Sequence, residues 1–382
     1  MILRIALLLV ILLVLPALYI DRKLLHGRLQ RWLLWTPNVL LALATLWFVL
    51  FEGFGDAEVF WKGLYLIVLL AVTVPEAVFA LISLAGRASR RPVVRRAANG
   101  FGLVVALLLC GAMLYGYAFG AYALKVREAS YASPDLPAAF DGYRIVQVSD
   151  LHVGTFASHP EAVRRVVEAV NAQHPDLIVF TGDLVNYHAE ELIPFGSELA
   201  RMRARDGVVS ILGNHDYMSY HDWPSEAARQ ANLAQLVRRQ RDMGWRLLLN
   251  DNVVVRRGAD SIAIVGVEND GLPPFPQRGD LTRAQRGVEQ AGFKVLLSHD
   301  PTHWRRSVLS TTDIDLTLSG HTHGMQLKIG GFSPASWFYD EWGGFYYDGG
   351  RALHVSLGAG EVLMPFRLGA WPEVNVITLR KK

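Results

Sequence analysis

Residues 208–216 read VVSILGNHD, and this stretch decides the fold. An apolar, β-branched run of strand length gives way at once to Gly-Asn-His-Asp. Such a run suits a strand buried in a sheet, with the polar tetrad where the strand ends. In open α/β sheets, ligands bind beyond the carboxyl ends of the strands. Four further stretches share this grammar: YRIVQVSDLH at 143–152, DLIVFTGD at 176–183, KVLLSHD at 294–300 and DLTLSGHTHG at 315–324. Each closes an apolar run on Asp, Asn or His. Five such strands in one sheet would bring seven metal-type ligands to one edge.

Around these strands the chain alternates. Helices are expected at 160–173, where Val163, Val166, Val167 and Val170 recur at helical spacing, and at 190–205 and 225–243. Strand-like pieces then crowd together at 245–249, 252–256 and 262–267. A short helix follows Pro301, and strands at 352–357 and 374–379 finish the chain. Alternation followed by bunching points to two mostly β layers with helices outside, an α/β (α+β) domain over 143–382. Residues 125–142, with Pro134 and Pro137, read as a linker. Two stretches are irregular, 269–280 and 330–350. The second carries Phe332, Trp337, Phe338, Tyr339, Trp342, Phe345, Tyr346 and Tyr347. It is either a loop that packs its own rings or a rim for substrate or membrane, formed by Trp337, Phe338, Trp342 and Phe345.

Residues 1–124 have a different composition and read as an all-α region of four transmembrane helices, roughly 2–20, 33–51, 60–84 and 101–124. No small-residue cleavage site closes the first, so it is expected to be retained. The first loop carries Arg22, Lys23, Arg28 and Arg31, and the third Arg87, Arg90, Arg91, Arg95 and Arg96. The middle loop has Glu52, Asp56 and Glu58 against Lys62. The positive-inside rule then predicts a multi-pass inner-membrane protein with its C-terminal domain outside the cytoplasm. Glu76, after Pro75 in the third span, is either a functional intramembrane carboxylate or one that snorkels or pairs with a loop arginine. Residues 1–124 hold 11 Lys and Arg against 5 Asp and Glu, and the rest of the chain 27 against 30. The basic excess therefore flanks the membrane, and nucleic acid is not indicated as a partner. Cys110 is the sole cysteine, which excludes an internal disulfide and a thiolate metal site.

Asp150-Leu151-His152 and His321-Thr322-His323 each place two ligands at i and i+2, on one face if the backbone is extended. Asp183 is a lone carboxylate able to bridge two cations, Asn214 offers a carbonyl oxygen and His299 an imidazole. Oxygen and nitrogen ligands without sulfur suit Mn²⁺, Fe or Zn²⁺. Two such ions, with Asp150, Asp183 and a bridging hydroxide, leave about one positive charge, matched to a phosphodiester. A further carboxylate would cancel it, which gives a reason for asparagine at 214. His159, His174, His188, His221, His303 and His354 lie outside the motifs and read as structural.

The ordered set DxH, GD, GNHD, SHD and GHTH resembles the calcineurin-like metallophosphoesterase family, in its membrane-associated bacterial branch. The resemblance spans about 143–380. It implies a β sandwich flanked by helices and two divalent metal ions. Asp150, His152, Asp183 and His323 would hold one ion, and Asp183, Asn214, His299 and His321 the other. His215 would be the acid beside the leaving group, supported by Asp216. Met325, in GHTHGMQ, stands where that branch commonly has glycine. The reading is a membrane-anchored hydrolase of phosphodiesters or pyrophosphates, with a lipid-linked substrate by analogy. A non-catalytic metal-dependent receptor or scaffold, or a transporter with an accessory domain, are the alternatives.

Overall fold

The computed structural model describes residues 2–48, 50, 59–157 and 159–382. They form two compact units, one comprising the N-terminal helices to Gly120 with Leu363–Phe366, the other Ala121–Val362 with Arg367–Lys382.

The first unit contains helices α1 (Ile2–Leu24), α2 (Arg28–Trp47), α3 (Val59–Arg87) and α4 (Pro92–Ala118). Among the described residues two stretches are long and apolar enough to cross a membrane, Trp61–Arg87 and Pro92–Tyr122, where four were expected. Arg28, Gln30, Arg31, Asn38 and Thr45 dilute the apolar character of α2. Glu52, Asp56 and Glu58, on which the orientation of the middle loop rests, lie outside the described residues. Among the described residues Glu76 is not paired with a loop arginine. The Asn38 amide of α2 donates to both its oxygens, at 2.9 and 3.1 Å. Small residues bring α3 and α4 together: a Cβ on Gly86 would lie 2.3 Å from that of Ala98.

The second unit is built on twelve strands: β1 (Lys125–Ser133), β2 (Arg144–Val148), β3 (Leu177–Phe180), β4 (Val208–Ser210), β5 (Arg246–Leu247), β6 (Asp251–Arg257), β7 (Asp260–Gly266), β8 (Lys294–Leu297), β9 (Leu316–Ser319), β10 (Gly344–Asp348), β11 (Arg351–Val355) and β12 (Glu373–Lys381). One sheet runs β1-β12-β2-β3-β4-β5 and the other β10-β11-β9-β8-β7-β6. Within them β2 to β5 are mutually parallel, as are β7, β8, β9 and β11. The ligand-bearing strands are thus split, three in one sheet and two in the other, rather than gathered in one.

Burial explains the split. Ile145, Leu177, Val179 and Ile211 meet Ile264, Val295, Leu297, Leu316 and Leu318 in one buried cluster between the sheets. The alternate residues Val146, Val148, Ile178 and Phe180 face outward onto α5 (Pro160–Asn171) through Val163, Val166, Val167 and Val170. On the far sheet Ala263, Val265, Leu296 and Leu353 pack against Trp304 and Val308. Strands buried on both faces read as continuous apolar runs, which is why they stand out in the sequence.

Three expectations change. The stretch read as a linker contains β1, paired in parallel with β12. Its first four residues are exposed and only Tyr131 and Ser133 are buried, so it lacks an apolar signature. The helix expected over 190–205 breaks into two short turns, Ala189–Leu192 and Gly196–Leu199, on either side of Pro194. The aromatic stretch contains strand β10, which pairs with β11. The helix expected from 225 is α6 (Glu226–Asp242), with the Ser225 hydroxyl capping the Ala228 N–H at 3.1 Å.

Candidate metal centre

The seven residues singled out in the sequence come together where β2, β3 and β4 of one sheet and β8 and β9 of the other end. The backbone does not stay extended there. Asp150, His152, Asp183, His321 and His323 have φ of 52°, 46°, 59°, 75° and 50°. The i and i+2 ligands therefore converge through left-handed turns, not by sharing a strand face. Such conformations are costly for non-glycine residues and cluster at functional sites. Flanking glycines permit the approach. A Cβ on Gly213 would lie 2.2 Å from Asp183 Oδ1, and one on Gly320 would lie 2.0 Å from Ser149 Oγ.

The donor atoms form two overlapping groups. His152 Nε2 is 3.2 Å from His323 Nε2, which is 3.4 Å from Asp150 Oδ1. His299 Nε2 is 3.2 Å from Asp183 Oδ2 and 3.1 Å from Asn214 Oδ1. His321 Nδ1 is 2.8 Å from the same Asn214 oxygen. Asp183 Oδ2 is also 3.6 Å from His152 Nε2, so this carboxylate lies between the groups.

Residues 143–325 match the Calcineurin-like phosphoesterase family. The chain is 31% identical to the metallophosphoesterase YkuE of Bacillus subtilis (strain 168) over 292 residues, 73% of this chain and 94% of that one. The chain belongs to the calcineurin-like metallophosphoesterase family. It is also 28% identical to a Danio rerio transmembrane protein with metallophosphoesterase domain, over 84% of this chain and 72% of that one. Among solved structures, the phosphopantetheinyl hydrolase of Mycobacterium tuberculosis aligns at a TM-score of 0.37 and 16% identity, over 57% of this chain and 89% of that chain.

The donor set fits the divalent ions this family implies. Ligands about 2.0–2.2 Å from a tetrahedral ion stand about 3.3–3.6 Å apart, close to the spacings found here. Asp150, His152 and His323 lie within mutual reach, as do Asp183, His299 and His321. Protonation points the same way. Burial lowers His152 to about 3 and, with the neighbouring His152 and Arg367, holds His323 well below its ordinary value. Both imidazoles are neutral and present lone pairs. Burial also opposes charge on His299, yet the Asp183 carboxylate raises it to about 10. A proton there occupies the place of a cation between carboxylates.

His215 lies beside the donors, within ligand reach of His152 and Asp183. Its Nδ1 meets the Asn186 carbonyl at 3.0 Å and its backbone N–H donates to Asp183 Oδ1 at 2.8 Å. The ring stands edge-on to His152, with centroids 4.8 Å apart, and lies against Tyr220 at 4.4 Å. Asp216 was expected to support His215, but its carboxylate accepts four backbone N–H groups instead. These are Asp183, Leu184 and Gly213 at 2.9 Å and Val185 at 3.2 Å. Burial and Asp183 push Asp216 up to about 7. Four donors around it nevertheless favour the ionised form.

Four residues at the site carried no signal strong enough to find them. Tyr220 OH accepts from the Asn214 amide at 2.9 Å. Tyr339 OH lies 2.9 Å from His321 Nε2, with Asp300 Oδ2 at 3.5 Å from the same nitrogen. Buried Arg367 reaches His323 Nδ1 at 3.0 Å. Asp300 belongs to a quoted motif, and Tyr339 to the aromatic stretch. Tyr220 and Arg367 are ordinary loop residues until the chain folds. Of the remaining histidines, His303 bonds Ser298 at 2.9 Å and His354 bonds Gln147 at 2.8 Å, as structural residues do.

Proposed function

We propose that the chain is a membrane-anchored phosphoesterase with a dinuclear metal site, acting on phosphodiester or pyrophosphate bonds. The observation that carries this is the position of Asp183, within 3.6 Å of His152 in one donor group and 3.2 Å of His299 in the other. Asp150, His152, Asp183 and His323 would hold one ion, and Asp183, Asn214, His299 and His321 the second. When bound, Mn²⁺, Fe or Zn²⁺ would clamp the phosphoryl oxygens and activate water near neutral pH. The protein's own share is positioning. The Asn186 carbonyl accepts from His215 Nδ1–H and fixes the ring, leaving Nε2 as the atom that would carry a proton to the leaving oxygen in the imidazolium form. Asp216 holds the Asp183 and Asn214 loops in register.

Four spans, with the domain outside the cytoplasm, remain the preferred topology. The two apolar helices and the Danio rerio relative support membrane anchoring. A lipid-linked substrate is favoured by the aromatic stretch. Trp337 and Phe338 are 72% and 68% exposed, two residues and one residue before Tyr339, which touches His321. Phe345 instead packs on Tyr347 and His354, so the rim is narrower than the sequence suggested.

The test is metal analysis of detergent-purified full chain, with a screen of phosphodiesters and pyrophosphates. Two equivalents of metal and metal-dependent turnover are expected, and Asp183→Asn should lose both. Full turnover by metal-stripped protein would refute the proposal.

A further inference from the structure

We propose that a cleft between the edges of the two sheets, lined by Arg241, Arg283 and Arg286, binds a ligand that carries two or more phosphates. None of its lining residues belongs to the donor groups, and the proposal stands independently of the dinuclear reading above. β5 is the last strand of one sheet and β6 the last of the other, and the chain passes between them through residues 248–250. The cavity that opens beside this crossing has a volume of about 470 Å³.

The charge there is local. Residues 125–382 together hold more acid than base, so the domain as a whole does not draw anions. Residues 238–257, in contrast, hold six arginines against two aspartates. Around the cavity, three guanidiniums stand against the single carboxylate of Asp251. Among the described residues, the side chains of Arg241, Arg283 and Arg286 form no hydrogen bond or ion pair. Arg229, Arg257, Arg305 and Arg306 each meet a carboxylate instead. Like charges gathered round one cavity repel, and an anion between them removes that repulsion. The planar guanidinium also matches phosphate, because its fork gives two parallel N–H bonds.

The backbone that presents these arginines is fixed in advance. Arg241 lies in the last turn of α6. Arg283 and Arg286 lie in and just after the short helix Leu281–Ala284, whose Arg283 N–H is capped by the Asp280 carboxylate at 2.9 Å. Two asparagines strap this turn to the sheet edge. Buried Asn250, at φ 53°, accepts the Asp280 N–H and donates to the Arg278 carbonyl, both at 2.9 Å. The Asn252 amide donates to the Ala284 and Arg286 carbonyls at 2.8 and 3.1 Å. With the frame already ordered, binding has to order only the arginine side chains, which lowers its entropic cost.

The number of guanidiniums sets the ligand class. One phosphate is satisfied by one or two bidentate arginines, so three around one cavity call for a ligand with further phosphates. Leu247 and Leu249 add an apolar wall for the group that bears them. Such a ligand is either a soluble polyphosphate compound or a lipid headgroup, which share this chemistry.

The experiment is calorimetric titration of the full chain in detergent with inorganic triphosphate, after metal is stripped on a chelating resin so that the metal centre takes no part. Wild type should bind one triphosphate, more tightly than inorganic phosphate and more weakly as salt rises. Arg241→Gln, Arg283→Gln and Arg286→Gln should each weaken binding about tenfold. All three side chains are exposed, so the melting temperature should hold, and should one variant melt lower the other two decide. Arg201→Gln with Arg203→Gln removes two exposed charges outside the cleft and should bind like wild type. Absence of binding at about 1 mM triphosphate would overturn the proposal. So would cleft variants that bind like wild type, or a loss in the Arg201 and Arg203 variant as large as theirs, which would mean charge attraction without a site. The source is read in phosphatidylcholine nanodiscs that contain phosphatidylserine or phosphatidylinositol bisphosphate at equal surface charge. Triphosphate affinity lowered only by the bisphosphate assigns the cleft to a headgroup, and equal affinity assigns it to a soluble ligand.

Discussion

Replacing Asp216 with asparagine should destabilise the domain before it affects any chemistry. The side chain is fully buried, and its two oxygens accept from two backbone N–H groups each. Oδ1 serves Leu184 and Val185, while Oδ2 serves Asp183 and Gly213. An amide keeps one accepting oxygen and turns its nitrogen toward the other pair. Two buried N–H groups are then unsatisfied and face a donor. At roughly 1–3 kcal/mol for each group, the cost is about 2–6 kcal/mol. This is a large part of the stability of an ordinary domain. For a domain of this size, about 2–4 °C per kcal/mol corresponds to a fall of roughly 4–24 °C. The assay is thermal unfolding of the metal-free full chain, followed by tryptophan fluorescence, so that lost metal does not contribute. A fall below about 2 °C, less than the shift for one unsatisfied N–H, would show that the carboxylate does not tie the two loops.

Other outcomes follow from the same geometry. His215→Ala should slow turnover by about 10²–10⁴-fold with alkoxide leaving groups and much less with nitrophenolate, compared in steady-state assays. Equal losses would assign His215 to positioning phosphate or metal instead. Trp337→Ser with Phe338→Ser should impair turnover of a lipid-linked substrate in vesicles and spare a soluble diester. Both rings are exposed, so the melting temperature should hold, and equal losses with a lower melting temperature would leave only a packing role. Glu361 is fully buried with neither carboxylate oxygen hydrogen-bonded among the described residues, and burial raises it to about 8 despite the pull of Arg367. Because the folded value is raised, stability is present at low pH and declines as pH rises through about 8. Glu361→Gln should therefore melt higher than wild type at pH ~9 and close to it at pH ~5. An unchanged difference between the two would refute this.

How much of this was legible beforehand depended on burial. The strands that carry the ligands are apolar on both faces, so their sequences announce them and their ends point to Asp150, Asp183, Asn214, His299 and His321. β1 was missed because an edge strand needs no apolar code, and the hydrogen bonds that hold it to β12 leave no mark on side-chain type. The assignment of β2, β3 and β4 to one sheet and β8 and β9 to the other rests on which apolar faces meet, a property of pairs distant in the chain.

The sequence by itself determined the donor inventory: carboxylate, amide and imidazole at strand ends, without a thiolate in the domain. Side-chain chemistry and strand periodicity are local, so they survive in one dimension. Only the tertiary structure decided what surrounds each donor. It bent the backbone of Asp150 and His323 into left-handed turns, gave Asp216 to four N–H groups, and set Tyr220 and Tyr339 behind one group of ligands and Arg367 behind the other. Hydrogen bonds act over about 3 Å, and residues as far apart as His323 and Arg367 reach that range only through the packing of the two sheets and their loops.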